Sequence, residues 1–89
     1  MLQELKDYLR ISWDDEDTLL EATIVKGKAY LEDITGVTLD FEQTREKSLL
    51  LDYCRYSYNN ASEYFEENFK SELLRLQLKS AVNDYATQE

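Results

Sequence analysis

The 89-residue sequence contains no histidine, no proline, two glycines and one cysteine. Without histidine, no imidazole is present to act as a base, a proton shuttle or a metal ligand. A single cysteine excludes an intramolecular disulfide and any zinc site made of several cysteines, and it fits a reducing cytoplasm. Because an all-β chain of this size needs many turn residues, the shortage of glycine and proline argues against that fold class.

Targeting signals and long apolar runs are also absent from the sequence. Residues 1–10 lack the basic and apolar regions of a signal peptide, and no apolar run approaches the ~20 residues of a membrane span. The formal charge of −9 disfavours binding to nucleic acid or to an anionic membrane, since both would repel the chain. We therefore expect an acidic, soluble, intracellular protein that does not contact a membrane.

What the sequence does contain is enough apolar material for one small domain over residues 1–89. Hydrophobic residues make up 43% of the chain and aromatic residues 12%, including seven tyrosines. This aromatic content is too high for a disordered acidic segment. A chain of this length buries roughly 60–65% of the surface that it exposes when unfolded, so the core is expected to be small.

Apolar residues repeat at helical spacing through almost the whole chain. A short helix is predicted over residues 2–9 and a long one over residues 14–35, with Ser12 or Asp14 as the N-cap of the second. The long helix is expected to end at Gly36, since glycine suits the left-handed position after a helix. Its single apolar stripe consists of Leu20, Ile24, Gly27, Leu31 and Ile34.

A third helix is predicted after a connector at residues 37–40, with Thr38 or Asp40 as its N-cap. It either stops at Asn59-Asn60 or continues to about Glu66, because asparagine weakens a helix without breaking it as proline does.

The fourth helix is expected to begin near Asn68 or Ser71, and residues 86–89 are expected to fray. Its apolar positions are Phe69, Leu73, Leu74, Leu76, Leu78, Val82 and Tyr85. The predicted fold is therefore all-α, with one short N-terminal helix and three longer helices.

Asp14, Asp15, Glu16 and Asp17 form the most conspicuous charged cluster. An EF-hand loop beginning at Asp14 would need glycine at its sixth position and glutamate at its twelfth, and this chain has Leu19 and Val25 there. Carboxylates at a helix start interact favourably with the helix dipole and the unpaired N–H groups, each contributing ~0.3–1 kcal/mol. We favour this helix-start interpretation over a metal site.

Neither a catalytic site nor a cofactor-binding motif is indicated. Glycines at positions 27 and 36 alone cannot form a phosphate-binding loop, and no histidine is available to activate Cys54 or a serine as a nucleophile. Cys54 follows Leu50, Leu51 and Tyr53, so we predict a buried thiol that packs as a small hydrophobe. We predict no enzymatic activity, no cofactor and no metal.

Gly27 stands in the middle of the longest predicted helix and on its apolar stripe. Glycine there costs ~1 kcal/mol relative to alanine. We expect the close approach of another helix to compensate for this cost.

Aromatic residues are concentrated in the second half of the chain. Tyr53, Tyr56 and Tyr58 are spread by helical geometry over more than one narrow stripe, and Tyr64 and Phe65 follow closely. Tyrosine and phenylalanine are enriched in protein interfaces, so these five residues are candidate contacts with another subunit or a partner. The alternative is a wide core face whose tyrosine hydroxyls reach water.

The order of these features resembles the small head–tail connector (adaptor or head-completion) proteins of tailed phages and prophages. The resemblance covers about residues 2–80. In the first half it rests on Leu5-Lys6-x-Tyr8-Leu9-Arg10-Ile11, on the acidic run into Asp17-x-Leu19-Leu20, and on Ile24, Ala29-Tyr30-Leu31 and Thr35-Gly36. In the second half it rests on Leu49-Leu50-Leu51, Tyr56, Tyr58-Asn59-Asn60, Glu67-Asn68-Phe69 and Leu73 to Leu78.

Two positions depart from the pattern of that family. Gly27 stands where alanine is typical, and Asn59-Asn60-Ala61 lacks the arginine that often follows the asparagine. The first departure concerns packing, and the second concerns the local contacts at the end of the third helix.

The resemblance implies a structural protein of the virion, made in the bacterial host cytoplasm and placed at the head–tail junction. Such proteins are α-helical and form a ring, usually dodecameric, between the portal protein and the tail-side connector proteins. DNA passes through the ring without specific binding, which a negatively charged channel wall would favour. Closing such a ring requires two different contact patches on each subunit. We expect these in the segment Tyr53–Tyr58 with Tyr64 and Phe65, and in the last helix.

A soluble acidic regulator, such as a DNA mimic that occupies a nucleic-acid-binding protein, is the rival interpretation. A mimic needs an exposed double row of carboxylates at phosphate-like spacing. Here the acidic residues are scattered among basic ones, including Lys6, Arg10, Lys26, Lys28, Arg45 and Lys47. The scatter weakens the mimic hypothesis.

Overall fold

A computed structural model describes the backbone of residues 1–87 and the side chains of residues 1–79. These residues form helices and no strand, which confirms the all-α prediction. The elements are α1 (Leu2–Leu9), α2 (Asp17–Thr35), α3 (Thr44–Tyr58), a 3₁₀ turn (Ser62–Tyr64), α4 (Phe65–Asn68) and α5 (Lys70–Thr87). The short N-terminal helix and the three longer helices were predicted, whereas the 3₁₀ turn and the one-turn α4 were not.

Helix α1 ends where predicted, because Arg10 adopts the left-handed conformation with φ 60°. The N–H of Ile11 donates to the carbonyl oxygen of Lys6 at 2.8 Å, which closes the last turn. This reversal of the chain carries Ile11 into the core.

The predicted start of α2 at residue 14 is wrong, since the helix begins at Asp17. Neither Ser12 nor Asp14 is its N-cap; Glu16 occupies that position without a side-chain cap. The carbonyl oxygen of Asp14 accepts a hydrogen bond from the N–H of Asp17 in a preceding turn. Its carboxylate is bound by Lys6, so it is not available to the helix N-terminus.

The apolar stripe of α2 is buried as predicted at Leu20, Ile24, Gly27 and Leu31, and Ile34 is partly buried against the core. Gly36 ends the helix with φ 75° and donates its N–H to the carbonyl oxygen of Glu32 at 2.9 Å.

Helix α3 begins at Thr44, so neither Thr38 nor Asp40 is its N-cap. The carboxylate of Asp40 instead accepts the N–H of Glu42 at 3.0 Å, in a turn that precedes the helix. At the other end the helix stops at Tyr58, because Asn60 is left-handed with φ 57°. The side-chain amide of Asn59 donates to the carbonyl oxygen of Arg55 at 2.9 Å, which satisfies a terminal acceptor. Of the two predicted ends of the third helix, the stop at Asn59-Asn60 is confirmed and the continuation to Glu66 is wrong.

Helix α5 begins at Lys70, between the two predicted starts. Leu73 and Leu76 are buried, and the Gln77 side chain donates to the carbonyl oxygen of Ile34 at 2.7 Å, which holds α5 against the end of α2. The predicted core positions Val82 and Tyr85 lie outside the described side chains. Of the predicted frayed segment, residues 86 and 87 are helical, and residues 88 and 89 lie outside the described residues.

Helix α2 lies at the centre of the fold and contacts α1, α3 and α5. The molecule is elongated, with dimensions of 50 × 24 × 17 Å. The buried core is formed by Leu5, Ile11, Leu20, Ile24, Leu31, Leu49, Leu50, Tyr53, Cys54, Phe65, Leu73 and Leu76.

Candidate interaction site

The acidic segment 14–17 is organised by Lys6, a lysine of α1 that is only 5% exposed. Its Nζ lies 2.6 Å from a carboxylate oxygen of Asp14 and 2.9 Å from one of Asp17. Hydrogen bonds to both carboxylates raise the pKa of Lys6 above its usual value, and the bond to Asp14 has the larger effect. These two carboxylates therefore fasten α1 to the start of α2.

The other two acids of the segment differ from each other. Asp15 is exposed, whereas Glu16 is half-buried and its Oε1 accepts hydrogen bonds from the Trp13 indole N–H at 2.8 Å and the Tyr58 hydroxyl at 3.1 Å. The hydrogen bond to Glu16 raises the pKa of the Tyr58 hydroxyl. Within the described part of the chain, no group of three or more cysteine and carboxylate side chains could hold a metal ion.

Two of the five candidate aromatic contacts are core residues. Phe65 is fully buried and Tyr53 is 5% exposed. Tyr53 stacks on Tyr30 with ring centroids 5.0 Å apart and meets Phe65 edge to face at 5.4 Å. Phe65 stacks in turn on Phe69 at 4.8 Å. These rings join α2, α3, α4 and the start of α5, so Tyr53 and Phe65 offer no exposed surface in the subunit.

The other three aromatic candidates reach the surface to different degrees. Tyr56 and Tyr58 are half-buried, and the Tyr56 hydroxyl accepts a hydrogen bond from the side-chain amide of Asn68 at 3.0 Å. Tyr64, in the 3₁₀ turn, is 55% exposed. The predicted contact surface therefore narrows to Tyr64 and to the outer edges of Tyr56 and Tyr58, where it stays a prediction.

An open groove of about 690 Å³ separates the outer face of α2 from the end of α3. Its α2 wall includes Leu19, Ala22 and Lys26, its α3 side includes Tyr58 and Asn60, and Glu16 also lines it. We call this the α2–α3 groove. It brings together Glu16 and Tyr58, two residues of the predicted clusters that lie 42 positions apart in the sequence.

Four aliphatic side chains on α2 and α5 are exposed; a contact patch was predicted on the last helix, where it stays a prediction, and none was predicted on α2. Leu19 and Val25 on α2 are 57% and 68% exposed, and Leu74 and Leu78 on α5 are 52% and 57% exposed. The exposure of Leu19 and Val25 could have been predicted from the helical repeat, since both lie away from the stripe of Leu20, Ile24 and Leu31. Leu74 and Leu78 similarly lie off the row formed by Leu73 and Leu76. Leu74 and Leu78 stand one helical turn apart, so they form one small exposed apolar surface on α5.

Within residues 1–87, no helix combines the length and the apolar character that crossing a membrane requires. Neither the curated proteins nor the solved structures include a significant match to the chain. A family model does match, over residues 1–89, and it describes phage gp6-like head-tail connector proteins. The match spans every helix described above, including the acidic start of α2 and the two exposed aliphatic pairs. The chain therefore belongs to the phage gp6-like head-tail connector protein family.

Proposed function

We propose that this protein is a non-catalytic subunit of a homo-oligomeric ring between the portal protein and the tail-side connector proteins of a phage or prophage virion. Family membership indicates a role at the head–tail junction. The observation that carries the proposal is the family match over residues 1–89. The subunit also exposes aliphatic side chains on two different helices. We propose a dodecamer in the virion, as is usual for such connectors.

The exposed aliphatic residues support a ring because a closed ring is built from head-to-tail contacts. In such a contact, one patch of each subunit meets a different patch of the next subunit. Leu19 lies in a first candidate patch on α2, and Leu74 and Leu78, one helical turn apart, provide a second on α5. A subunit with a single apolar patch would instead favour a two-fold dimer.

The charge of the chain supports passage of DNA through this ring. Nineteen acidic against ten basic residues leave a formal charge of −9 on each subunit. Phosphates are repelled by such a surface, so DNA would move past it without being held. We propose that part of the acid excess faces the channel.

The test combines solution mass with imaging. Light scattering at rising protein concentration, with and without purified portal protein, is expected to show a ring-sized species at least when portal is present, and negative-stain electron microscopy is expected to show rings. A 30-base-pair DNA duplex should show no binding at physiological salt. A chain that stays monomeric in the presence of portal and binds a DNA-binding protein tightly would contradict the proposal and favour the mimic.

A further inference from the structure

Trp13 is the only tryptophan of the chain, and it lies at the surface next to the acidic segment 14–17. Its side chain is 48% exposed, yet its indole N–H donates to Oε1 of Glu16 at 2.8 Å. The same oxygen accepts the Tyr58 hydroxyl at 3.1 Å, which ties the indole to the end of α3. Trp13 is therefore an exposed aromatic side chain that is held in place before any partner binds. Such preorganised tryptophans are frequent anchors of protein interfaces.

The surface around Trp13 is acidic. Residues 10–21 contain five acids and one base. Lys6 adds a second base, but the carboxylate of Asp14 stays 85% exposed although it binds Lys6, and Asp15 is exposed as well. An aromatic face beside carboxylates attracts a basic side chain, which lies over the ring while its charge faces the acids. We call Trp13, Asp14, Asp15 and Glu16 the Trp13 corner.

The first half of α5 has the opposite charge and exposes leucines. Residues 70–79 contain three bases and one acid. Leu74 and Leu78 are 52% and 57% exposed. Arg75 and Lys79 each follow one of these leucines; both are exposed, and neither forms an ion pair among the described side chains. We call Leu74, Arg75, Leu78 and Lys79 the α5 ridge.

The α5 ridge is distinct from the face of α5 that packs within the subunit. Leu73 and Leu76 are buried in the core, and they lie on the side of the helix away from the ridge. The third base, Lys70, is not part of the ridge, because it lines a notch with Glu66 beside Leu74. By helical position this notch is on the other side of Leu74 from Arg75 and Lys79. The ridge is therefore an unpartnered basic and apolar surface.

The Trp13 corner and the α5 ridge lie at opposite ends of α2. The corner directly precedes the first residue of α2, Asp17, whereas Gln77 of α5 donates to the carbonyl oxygen of Ile34, next to the last residue. The rise of 1.5 Å per residue places these two ends about 27 Å apart. The ridge of one subunit therefore cannot reach the corner of the same subunit, and both stay available to other molecules.

We propose that the α5 ridge of one copy of this chain packs on the Trp13 corner of a second copy, with the Arg75 guanidinium over the indole ring. The inference rests on the proposed ring and specifies its lateral contact. Local complementarity selects a second copy as the occupant, because the corner requires a base with apolar neighbours and the ridge supplies both. Since the two surfaces differ and lie at opposite ends of α2, the contact is head-to-tail and can repeat around a ring.

The emission of the single tryptophan tests whether the corner is covered. The chain is produced with 5-hydroxytryptophan at position 13, which can be excited without exciting the tryptophans of the portal protein. Quenching by acrylamide is measured for the unassembled chain and for rings, alone and on purified portal. We expect quenching to fall severalfold on assembly. An indole that is as accessible in rings as in the unassembled chain would overturn the contact.

Cross-linking with a short bis-maleimide identifies what covers the corner. One chain carries Ser12→Cys, next to the indole, and a second, tagged chain carries Ser71→Cys, one helical turn before Arg75. The native Cys54 is buried, with 1% exposure, and does not interfere. We expect at least tenfold more mixed product than from Ser12→Cys with Ser48→Cys, an exposed site of α3. Cross-linking of the Ser12→Cys thiol to portal instead of to a second copy would overturn the proposal.

A chain that carries both Ser12→Cys and Ser71→Cys separates this inference from the proposed function. A covalent ladder of increasing size supports both the contact and the ring. Covalent dimers without longer products support the contact and contradict the ring. Rings without the mixed product overturn the contact and leave the proposed ring standing, and a chain that forms neither rings on portal nor mixed product contradicts both.

Charge exchange provides a readout that does not depend on introduced thiols. Arg75→Glu should raise the concentration needed for half-assembly at least tenfold, while circular dichroism shows unchanged helix content. Arg45→Glu makes the same change at an exposed site of α3 and should have a smaller effect. Adding Asp15→Arg to Arg75→Glu should restore part of the lost assembly, because an opposite pair of charges then faces across the contact. Equal effects of the two glutamate variants, or no restoration, would overturn the assignment.

Discussion

Gly27 and Tyr53 are in such close contact that a β-carbon at residue 27 would lie 2.8 Å from Cδ1 of the tyrosine ring. The same β-carbon would lie 2.8 Å from Cδ1 of Leu50. Helices α2 and α3 therefore meet at this glycine, which confirms the expectation that a helix packs closely there. The absence of a side chain lets the Tyr53 ring reach Tyr30 and Phe65.

Replacing Gly27 with alanine should destabilise the protein by about 1 kcal/mol. Alanine would gain ~1 kcal/mol of helix propensity, but overpacking of a core costs ~1–3 kcal/mol. The Tyr53 ring is held between two other rings, so its displacement should outweigh the propensity gain. Urea unfolding measures the change in the free energy of unfolding. The control is Ala29→Gly, on the exposed face of α2, which measures the difference in helix propensity between alanine and glycine without a packing effect. A stabilised Gly27→Ala protein would show that the contact relaxes freely.

Phe65 and Tyr64 are adjacent aromatic residues with opposite expected contributions to stability. Phe65 is fully buried, whereas Tyr64 is 55% exposed. Phe65→Ala should lower the free energy of unfolding by about 3–5 kcal/mol, and Tyr64→Ala by less than about 0.5 kcal/mol. Chemical denaturation measures both, and Phe65→Leu provides a milder variant if the alanine protein does not fold. A large loss for Tyr64→Ala would contradict the assignment of Tyr64 to the surface.

The ion pairs of Lys6 predict a dependence of stability on alkaline pH. The pKa of Lys6 is raised above its usual 10.5 by Asp14 and Asp17. A raised lysine pKa contributes stability that is complete below the unfolded-state pKa and is lost as pH rises through the folded-state pKa. Lys6→Met should therefore have a lower urea midpoint than the wild type at pH 7.

Above pH 10.5 the difference between the Lys6→Met variant and the wild type should shrink. Lys26→Met removes an exposed lysine of α2 and is the matched control, for which we expect little change at either pH. A difference for Lys6→Met that stayed constant from pH 7 to well above 10.5 would rule out the paired lysine as its cause.

Cys54 should react very slowly in the folded protein. Burial raises the pKa of its thiol to about 12 from 9.0, which leaves about a thousandfold less thiolate at pH 8. Reaction with a chromogenic disulfide reagent is expected to be at least a hundredfold slower than after unfolding in urea. Rapid labelling under native conditions would mean that the core around α3 opens readily.

Ionisation of the Cys54 thiol should also make the stability of the fold depend on pH in the alkaline range. Because its folded-state pKa is raised, the neutral buried thiol contributes fully below pH 9 and progressively less as pH rises toward about 12. A Cys54→Ala variant should therefore lose less stability than the wild type between those two pH values.

Helix positions and most of the core could be predicted from the sequence because they depend on local periodicity. The stripe from Leu20 to Leu31 and the glycine stop at residue 36 follow from the 3.6-residue repeat and from the left-handed preference of glycine. The buried state of Cys54 followed from its apolar neighbours. The resemblance to head–tail connector proteins rested on the order of the motifs along the chain, and the family match confirms it.

The start of α2 could not be predicted because it depends on a residue in another helix. Lys6 binds Asp14 and Asp17, and because the Asp14 carboxylate is held by Lys6 it does not cap the helix, which begins at Asp17. The start of α3 shifted for a more local reason, since Asp40 closes a turn of its own.

By itself, the sequence determined an acidic all-α chain, its longer helices and its resemblance to the connector family, since these depend on composition, short spacings and the order of local features. Only the tertiary structure decided which of the remaining apolar side chains are buried. It placed Phe65 inside and left Leu19, Val25, Leu74 and Leu78 outside. The physical reason is that a helix with apolar residues on more than one face can bury only the face that its neighbours cover. Which face they cover depends on contacts between residues far apart in the chain.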